Sequence, residues 1–173
     1  MNVEADELRQ VREAFIAQWG TLGPLWGITR SMAQLHAALL AADEPCTTDD
    51  LMETLGISRG NANTQLRELV SWGLVRSVHR KGDRKEYFEA EKGVWKIFCI
   101  IARERKRREV DPALVVLRDC VALTKAMRTR EGKSFHALLS ELADFVGTAN
   151  GILDRAAARQ ESAVIPALLK LFR

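Results

Sequence analysis

At 173 residues the chain can hold one ordinary domain, or one small module with extra helices around it, and it is too short for a large multidomain enzyme. Its composition, 47% hydrophobic and 28% charged with four prolines, supplies a sizeable core and excludes wholesale disorder. The formal net charge of +3 identifies no partner as a total, so it has to be divided by region.

From Val3 to Trp19 the apolar residues Leu8, Val11, Phe15, Ile16 and Trp19 follow helical spacing, and Gly20 is placed to end the helix. GTLGPLWG reads as a break. A second helix follows on Ile28, Met32, Leu35, Leu39 and Leu40 and ends before Pro45. Thr47 or Thr48 can cap a short third helix whose first turn gains from Asp49 and Asp50, with Leu51, Met52 and Leu55 on its buried side and Gly56 at its end. Ser58 can cap a fourth helix running to about Trp72, closed by Gly73. On a wheel Ala62, Leu66 and Leu69 share one side with Val70 at its edge; Gly60, Thr64, Arg67 and Ser71 lie opposite, flanked by Asn63. Two short helices joined by a tight turn, the second with one core face and one short, polar, cationic face, form the pattern of a helix-turn-helix.

The period then becomes extended. Leu74, Val75 and Val78 precede HRKGDRK, and Glu86 to Glu89 follow it, so Gly-Asp marks a hairpin with a basic loop, the position of a wing. From Val94 a long helix puts Trp95, Phe98, Ile101 and Ala102 on one side before RERKRRE, which reads as a solvated helical face with pairs such as Glu104 to Arg108. Asp111 as cap and Pro112 at the first position open another helix with a seam of Leu114, Leu117, Val121 and Thr124. Past Gly132, Ser134 can cap a helix with a broad stripe of Phe135, Leu138, Leu139, Leu142, Phe145 and Val146, and the tail repeats the theme with Val164, Ile165, Leu168, Leu169 and Phe172. The charge follows these elements. Residues 1–57 carry 3 basic and 9 acidic side chains, residues 58–108 carry 14 and 6, and residues 109–173 carry 9 and 8. The positive excess coincides with the fourth helix, the wing and the start of the long helix, and points to a polyanion.

Other chemistries find little support. Cys46, Cys99 and Cys120 are odd in number and widely spread, with no CxxC, so they read as free thiols in a reducing cytoplasm. His36, His79 and His136 fall in different elements and read as surface or satisfied histidines. No HExxH, GxSxG, GxxxxGK or GxGxxG occurs, and no metal, cofactor or catalytic residue is expected. Neither a membrane-spanning run nor a secretory signal is present: AALLAA at 37–42 is among the longest apolar stretches, and the N-terminus is acidic.

The fold expected is therefore mainly α, a winged helix-turn-helix with a small β-hairpin wing plus N- and C-terminal dimerisation helices. Residues 1–24 form the N-terminal helix, 25–92 the winged helix and 93–173 the helical dimerisation region. Arg59, Asn63 and Arg67 are candidates for base edges, Arg for guanine and Asn for adenine in a major groove. Ser58, Gly60, Asn61 and Thr64 are placed to approach phosphates or pack closely against the groove, and Arg80, Lys81, Arg84 and Lys85 serve the wing. Aromatic residues near the expected junction of head and dimerisation helices, Trp19, Trp26, Tyr87 and Trp95, are candidates for a small-molecule effector site, their ring faces suited to a cation. The alternative to a regulator is a winged helix used as a protein-interaction or chromosome-architecture module without a specific operator.

Several strings, WG at 19–20, DEP at 43–45, LGISRGNANTQLRELVSWGLV at 55–75, KGDRKEYFEAE at 81–91, and WKIF and ERKRREVDP between 95 and 112, resemble the GbsR-type branch of the MarR-like winged-helix transcriptional regulators. The resemblance runs from about Trp19 to Pro112. It implies a homodimer with winged-helix heads that binds double-stranded DNA and regulates bacterial transcription, commonly as a repressor. Several members are tied to osmoprotectant metabolism, and the resemblance implies choline or glycine betaine as effector.

Overall fold

The computed structural model describes residues 3–158, which divide into two compact units, the first ending at Val94 and the second beginning at Trp95. The tail expected to carry Val164, Ile165, Leu168, Leu169 and Phe172 lies outside the described residues.

The first unit opens with α1 (Val3–Leu22). Gly20 does not end this helix. It is buried within it, and a Cβ there would come within 2.4 Å of Gln34 Cγ, so the glycine permits close helix packing. A single 3-10 turn, Gly23–Trp26, ends on left-handed Gly27 and leads into α2 (Arg30–Ala41), whose cap is Thr29: its hydroxyl accepts from Met32 N at 3.1 Å. Helix α2 is the centre of the unit. Met32, Ala33, Leu35, Ala37 and Leu39 are all at most 2% exposed, and α2 packs against α1, α3, α4 and the sheet.

A two-residue strand, β1 (Cys46–Thr47), precedes α3 (Thr48–Leu55). Thr47 caps that helix reciprocally with Asp50: Thr47 N donates to the Asp50 carboxylate at 2.8 Å and Asp50 N to the Thr47 hydroxyl at 3.3 Å. Those bonds, the backbone N–H first, hold the Asp50 carboxyl below its usual range. Helix α4 (Arg59–Trp72) follows, then β2 (Val75–His79) and β3 (Glu86–Ala90). The antiparallel sheet has the order β1-β3-β2, with Cys46 opposite Phe88 and Val75 opposite Ala90. Sequence periodicity could not show β1, because two residues carry no alternation. Lys92, just beyond β3, closes the C-terminal end of α2: its ammonium donates to the carbonyls of Leu39, Leu40 and Ala42 at 3.0, 2.6 and 2.8 Å.

The second unit contains α5 (Val94–Arg105) from its second residue onward, one π-helical turn (Lys106–Val110), α6 (Asp111–Thr124) and α7 (Arg130–Ala158). On α5 the buried residues are Cys99, Ile100 and Glu104, while Phe98 is 59% exposed, a rotation of the expected face. The expected break at Asp111 and Pro112 is absent. Val110 and Asp111 both have right-handed helical dihedrals, and the Asp111 side chain accepts from Lys106 Nζ and Asn150 Nδ2, each at 3.1 Å, instead of capping a new helix. Proline cannot donate to the ladder and its ring crowds the carbonyl four residues back, so the wider π turn carries the helix past Pro112. Glu104 is buried and pairs with Arg107 at 2.6 Å.

Helix α7 begins earlier than expected. Thr129 takes the capping role given to Ser134, its hydroxyl accepting from Gly132 N at 3.1 Å. Leu139 is buried, Val146 is half-buried, and α7 packs on α6, where Leu114 and Thr124 are buried and Leu117 and Val121 half-buried. Phe135, Leu138, Leu142 and Phe145, expected in the same stripe, are instead 42–73% exposed.

Candidate nucleic-acid interface

Helix α4 is fixed at its start by Ser58, whose hydroxyl accepts from Asn61 N at 3.3 Å, and at its end by left-handed Gly73. Ala62, Leu66, Leu69 and Trp72 are buried. Two polar bonds set its rotation against α2: Thr29 Oγ1 donates to Gln65 Oε1 at 2.8 Å, and Asn61 Nδ2 donates to Ser31 Oγ at 3.1 Å. Asn61 is thereby turned towards α2 and half-buried, away from the groove-facing role expected of it. Arg59, Gly60, Asn63, Thr64, Arg67 and Ser71 are exposed together along the opposite side, beside exposed Ser58. The Thr64 hydroxyl donates to Gly60 O at 2.9 Å and keeps its acceptor lone pairs.

The wing is not a two-residue hairpin at Gly-Asp. Residues 80–85 connect β2 and β3, and within them Asp83 N donates to Arg80 O at 3.1 Å over Gly82 at φ 86°, a turn that needs a glycine at its third position. Asp83 organises the rest. It accepts from Lys85 N at 2.9 Å and from the Tyr87 hydroxyl at 2.7 Å, and these bonds, Lys85 first, hold its carboxyl below the usual range while the same carboxylate raises the Tyr87 phenol. The Arg80 guanidinium lies over the Tyr87 ring, 4.4 Å from its centroid. Lys81, Arg84 and Lys85 are left exposed at the tip.

Two carboxylates of the acidic stretch around DEPCTTDD reach this basic side, Glu44 pairing with Arg80 at 3.1 Å and Asp49 with Arg59, while Asp43 pairs with Arg12 of α1 at 2.7 Å. Sequence reasoning missed these pairings, because opposite charges 10, 31 and 36 residues apart carry no local pattern.

The aromatic residues proposed for an effector fall in both units. Trp19 and Trp26 meet edge to face with centroids 4.9 Å apart, and Phe15 lies 5.3 Å from Trp19. Tyr87 sits in the sheet with Arg80 on its ring and Asp83 on its hydroxyl. Trp95 belongs to the second unit and stacks on Phe98 at 5.3 Å.

Residues 26–86, from the end of the first helical break through the start of β3, match the model of the MarR family. Over those residues the winged helix resembles the MarR family. The transcriptional repressor GbsR of Bacillus subtilis (strain 168), a helix-turn-helix protein, is 29% identical over 121 residues, which is 70% of this chain and 67% of that protein. A crystal structure of a transcriptional regulator superposes with a TM-score of 0.55 at 26% identity, over 83% of this chain and 98% of the other. Over these stretches the chain is similar to transcriptional regulators. Among the described residues no helix is long and apolar enough to cross a membrane, and no group of three or more histidines, cysteines or acids could hold a metal.

Proposed function

We propose that the chain is a cytoplasmic, homodimeric repressor that binds a pseudo-palindromic operator in double-stranded DNA. The observation that carries this reading is the exposed row Arg59, Gly60, Asn63, Thr64 and Arg67 on a helix whose other side is core, next to a wing that presents Lys81, Arg84 and Lys85. Arg59, Asn63 and Arg67 read base edges in the major groove, Ser58, Gly60 and Thr64 allow close approach, and the wing holds phosphates or enters the minor groove. Arg80 steadies the wing through Glu44 and Tyr87 as well as adding charge. Asn61 works indirectly, by fixing the rotation of α4 on α2.

Selection of bound fragments from the host genome by the full-length protein tests the reading. A short two-fold site with a steep salt dependence is expected. Uniform binding along DNA, or none, selects the interaction or architectural module instead. On the recovered site Arg67→Ala should lose about 1 to 3 kcal/mol of discrimination at one base pair, whereas Lys81→Ala should weaken all sequences about equally.

The effector part of the reading, an osmoprotectant such as choline or glycine betaine, is retained for Trp19 and Trp26 with Phe15, which meet within the first unit. Calorimetry with both compounds checks it. Absence of heat from either removes the quaternary ammonium class.

A further inference from the structure

Arg59 is the first residue of α4, and no acidic residue lies in that helix's first turn. That turn exposes unpaired N–H groups and the positive end of the helix dipole, so a guanidinium there opposes the helix instead of supporting it. The compensating carboxylate comes from another element. Asp49, in the first turn of α3, accepts a hydrogen bond from Arg59 Nη2. Helix α3 does not need Asp49 for its cap, which Thr47 and Asp50 complete between themselves. Nor does the pair hold the fold together: the two side chains are 61% and 58% exposed, and exposed ion pairs contribute little. Beside Arg59, Gly60 leaves open space, with no atom within 4 Å of where a Cβ would stand.

A planar guanidinium tethered through one Nη2 hydrogen keeps its other Nη2 hydrogen, with the N–H beside it on that edge, free as a donor pair in a restricted orientation. We infer that Asp49 is a positioning residue: it aims Arg59 for a bidentate contact with a guanine edge, and it neutralises charge that would otherwise draw Arg59 to any phosphate. The inference rests on α4 being the base-reading helix. It adds the residue that makes its first arginine selective.

The test uses full-length wild type, Arg59→Ala, Asp49→Asn and the double variant, each selecting from a random-sequence duplex library whose bound fraction is sequenced. Arg59→Ala should reduce the preference for a G·C pair at one position of the recovered site by about 5- to 100-fold. Asp49→Asn should reduce the preference at that same position by about threefold or more, and the double variant should lose no more than Arg59→Ala alone. Asp49→Asn should also bind a mixed-sequence duplex more tightly than wild type does, while Asp49→Glu should keep the wild-type preference. If Asp49→Asn strengthens every sequence alike and leaves the preference at the Arg59 position intact, Asp49 is only a surface charge; the inference is overturned and α4 remains the reading helix. If Arg59→Ala changes no position while Arg67→Ala still does, the inference falls with the role of Arg59. Loss at no position for either arginine removes the reading of α4 itself.

Discussion

His36, on α2, is 2% exposed, and its Nε2 has no hydrogen-bond partner among the described residues, which departs from the satisfied or surface histidine expected. Burial alone pushes its pKa from the ordinary 6.5 down to about 4. Above pH 6.5 both the folded and the unfolded chain hold it neutral. Between 6.5 and 4 the unfolded chain takes up a proton that the folded chain excludes, so stability falls through that window by about 3 kcal/mol and levels off below it. Thermal melting from pH 7.5 to 4 measures the slope, and His36→Leu, which has nothing to protonate, should flatten it. A second residue carries its reason outside the folded chain. Gly60 is helical, exposed and has no neighbour that a Cβ would meet, so Gly60→Ala should stabilise the free protein by about 0.5 to 1 kcal/mol. If DNA approaches that position as closely as proposed, the same variant should bind its site more weakly; a more stable protein with unchanged binding would take Gly60 off the interface.

At the scale of the element, what was legible in the sequence was whatever has a local cause. Ser58 and Gly73 bound α4, Gly56 ends α3, and Gly82 with Asp83 marks the wing, because each acts on backbone groups two to four residues away. What was not legible depends on a neighbour from elsewhere in the chain. Gly20 looked like a helix end and is a packing contact with Gln34; Asn61 looked like part of the outer face and is bonded to Ser31; Pro112 looked like a helix start and is absorbed by a π turn. Lys92 belongs to the same class, since nothing near it in sequence indicates that it terminates a helix some 50 residues earlier. Lys92→Met keeps the stem and removes the three donated bonds, so it should destabilise the protein by about 1 to 2 kcal/mol. Urea unfolding monitored by circular dichroism measures this, and hydrogen exchange should show the loss first in the last turn of α2. An unchanged midpoint would mean that water serves those carbonyls equally well.

At the scale of the molecule, the division of charge read from the sequence acquires a physical form. Two acids of the N-terminal third are spent on arginines of the basic segment, Glu44 on Arg80 and Asp49 on Arg59, while Asp43 pairs with Arg12 of α1. Lys81, Arg84 and Lys85 remain exposed at the wing tip and Arg67 in the middle of α4, where DNA is proposed to lie. The second unit presents a different surface. Phe135, Leu138, Leu142, Phe145 and Ile152 on α7 are each 42–73% exposed, a larger set of apolar side chains than a lone helix keeps in water without a partner. This row supports the proposed homodimer. Phe145→Asp should convert a dimer into a monomer in sedimentation equilibrium and weaken DNA binding, because two half-sites are then no longer held by one particle. A monomeric wild type at micromolar concentration would end the proposal.

The spacing of that row also has a geometric consequence. Positions 135, 138, 142, 145 and 152, with half-buried Ala149 completing the series, advance by alternating steps of three and four residues, the repeat of 3.5 that an α-helix of 3.6 residues per turn cannot keep straight. Over a heptad the row drifts about 20° around the helix, so a second helix following it must wind with a left-handed twist and cross at roughly +20°. A partner crossing at about −50° would leave the row after one or two turns and strand Phe135 or Ile152 in water.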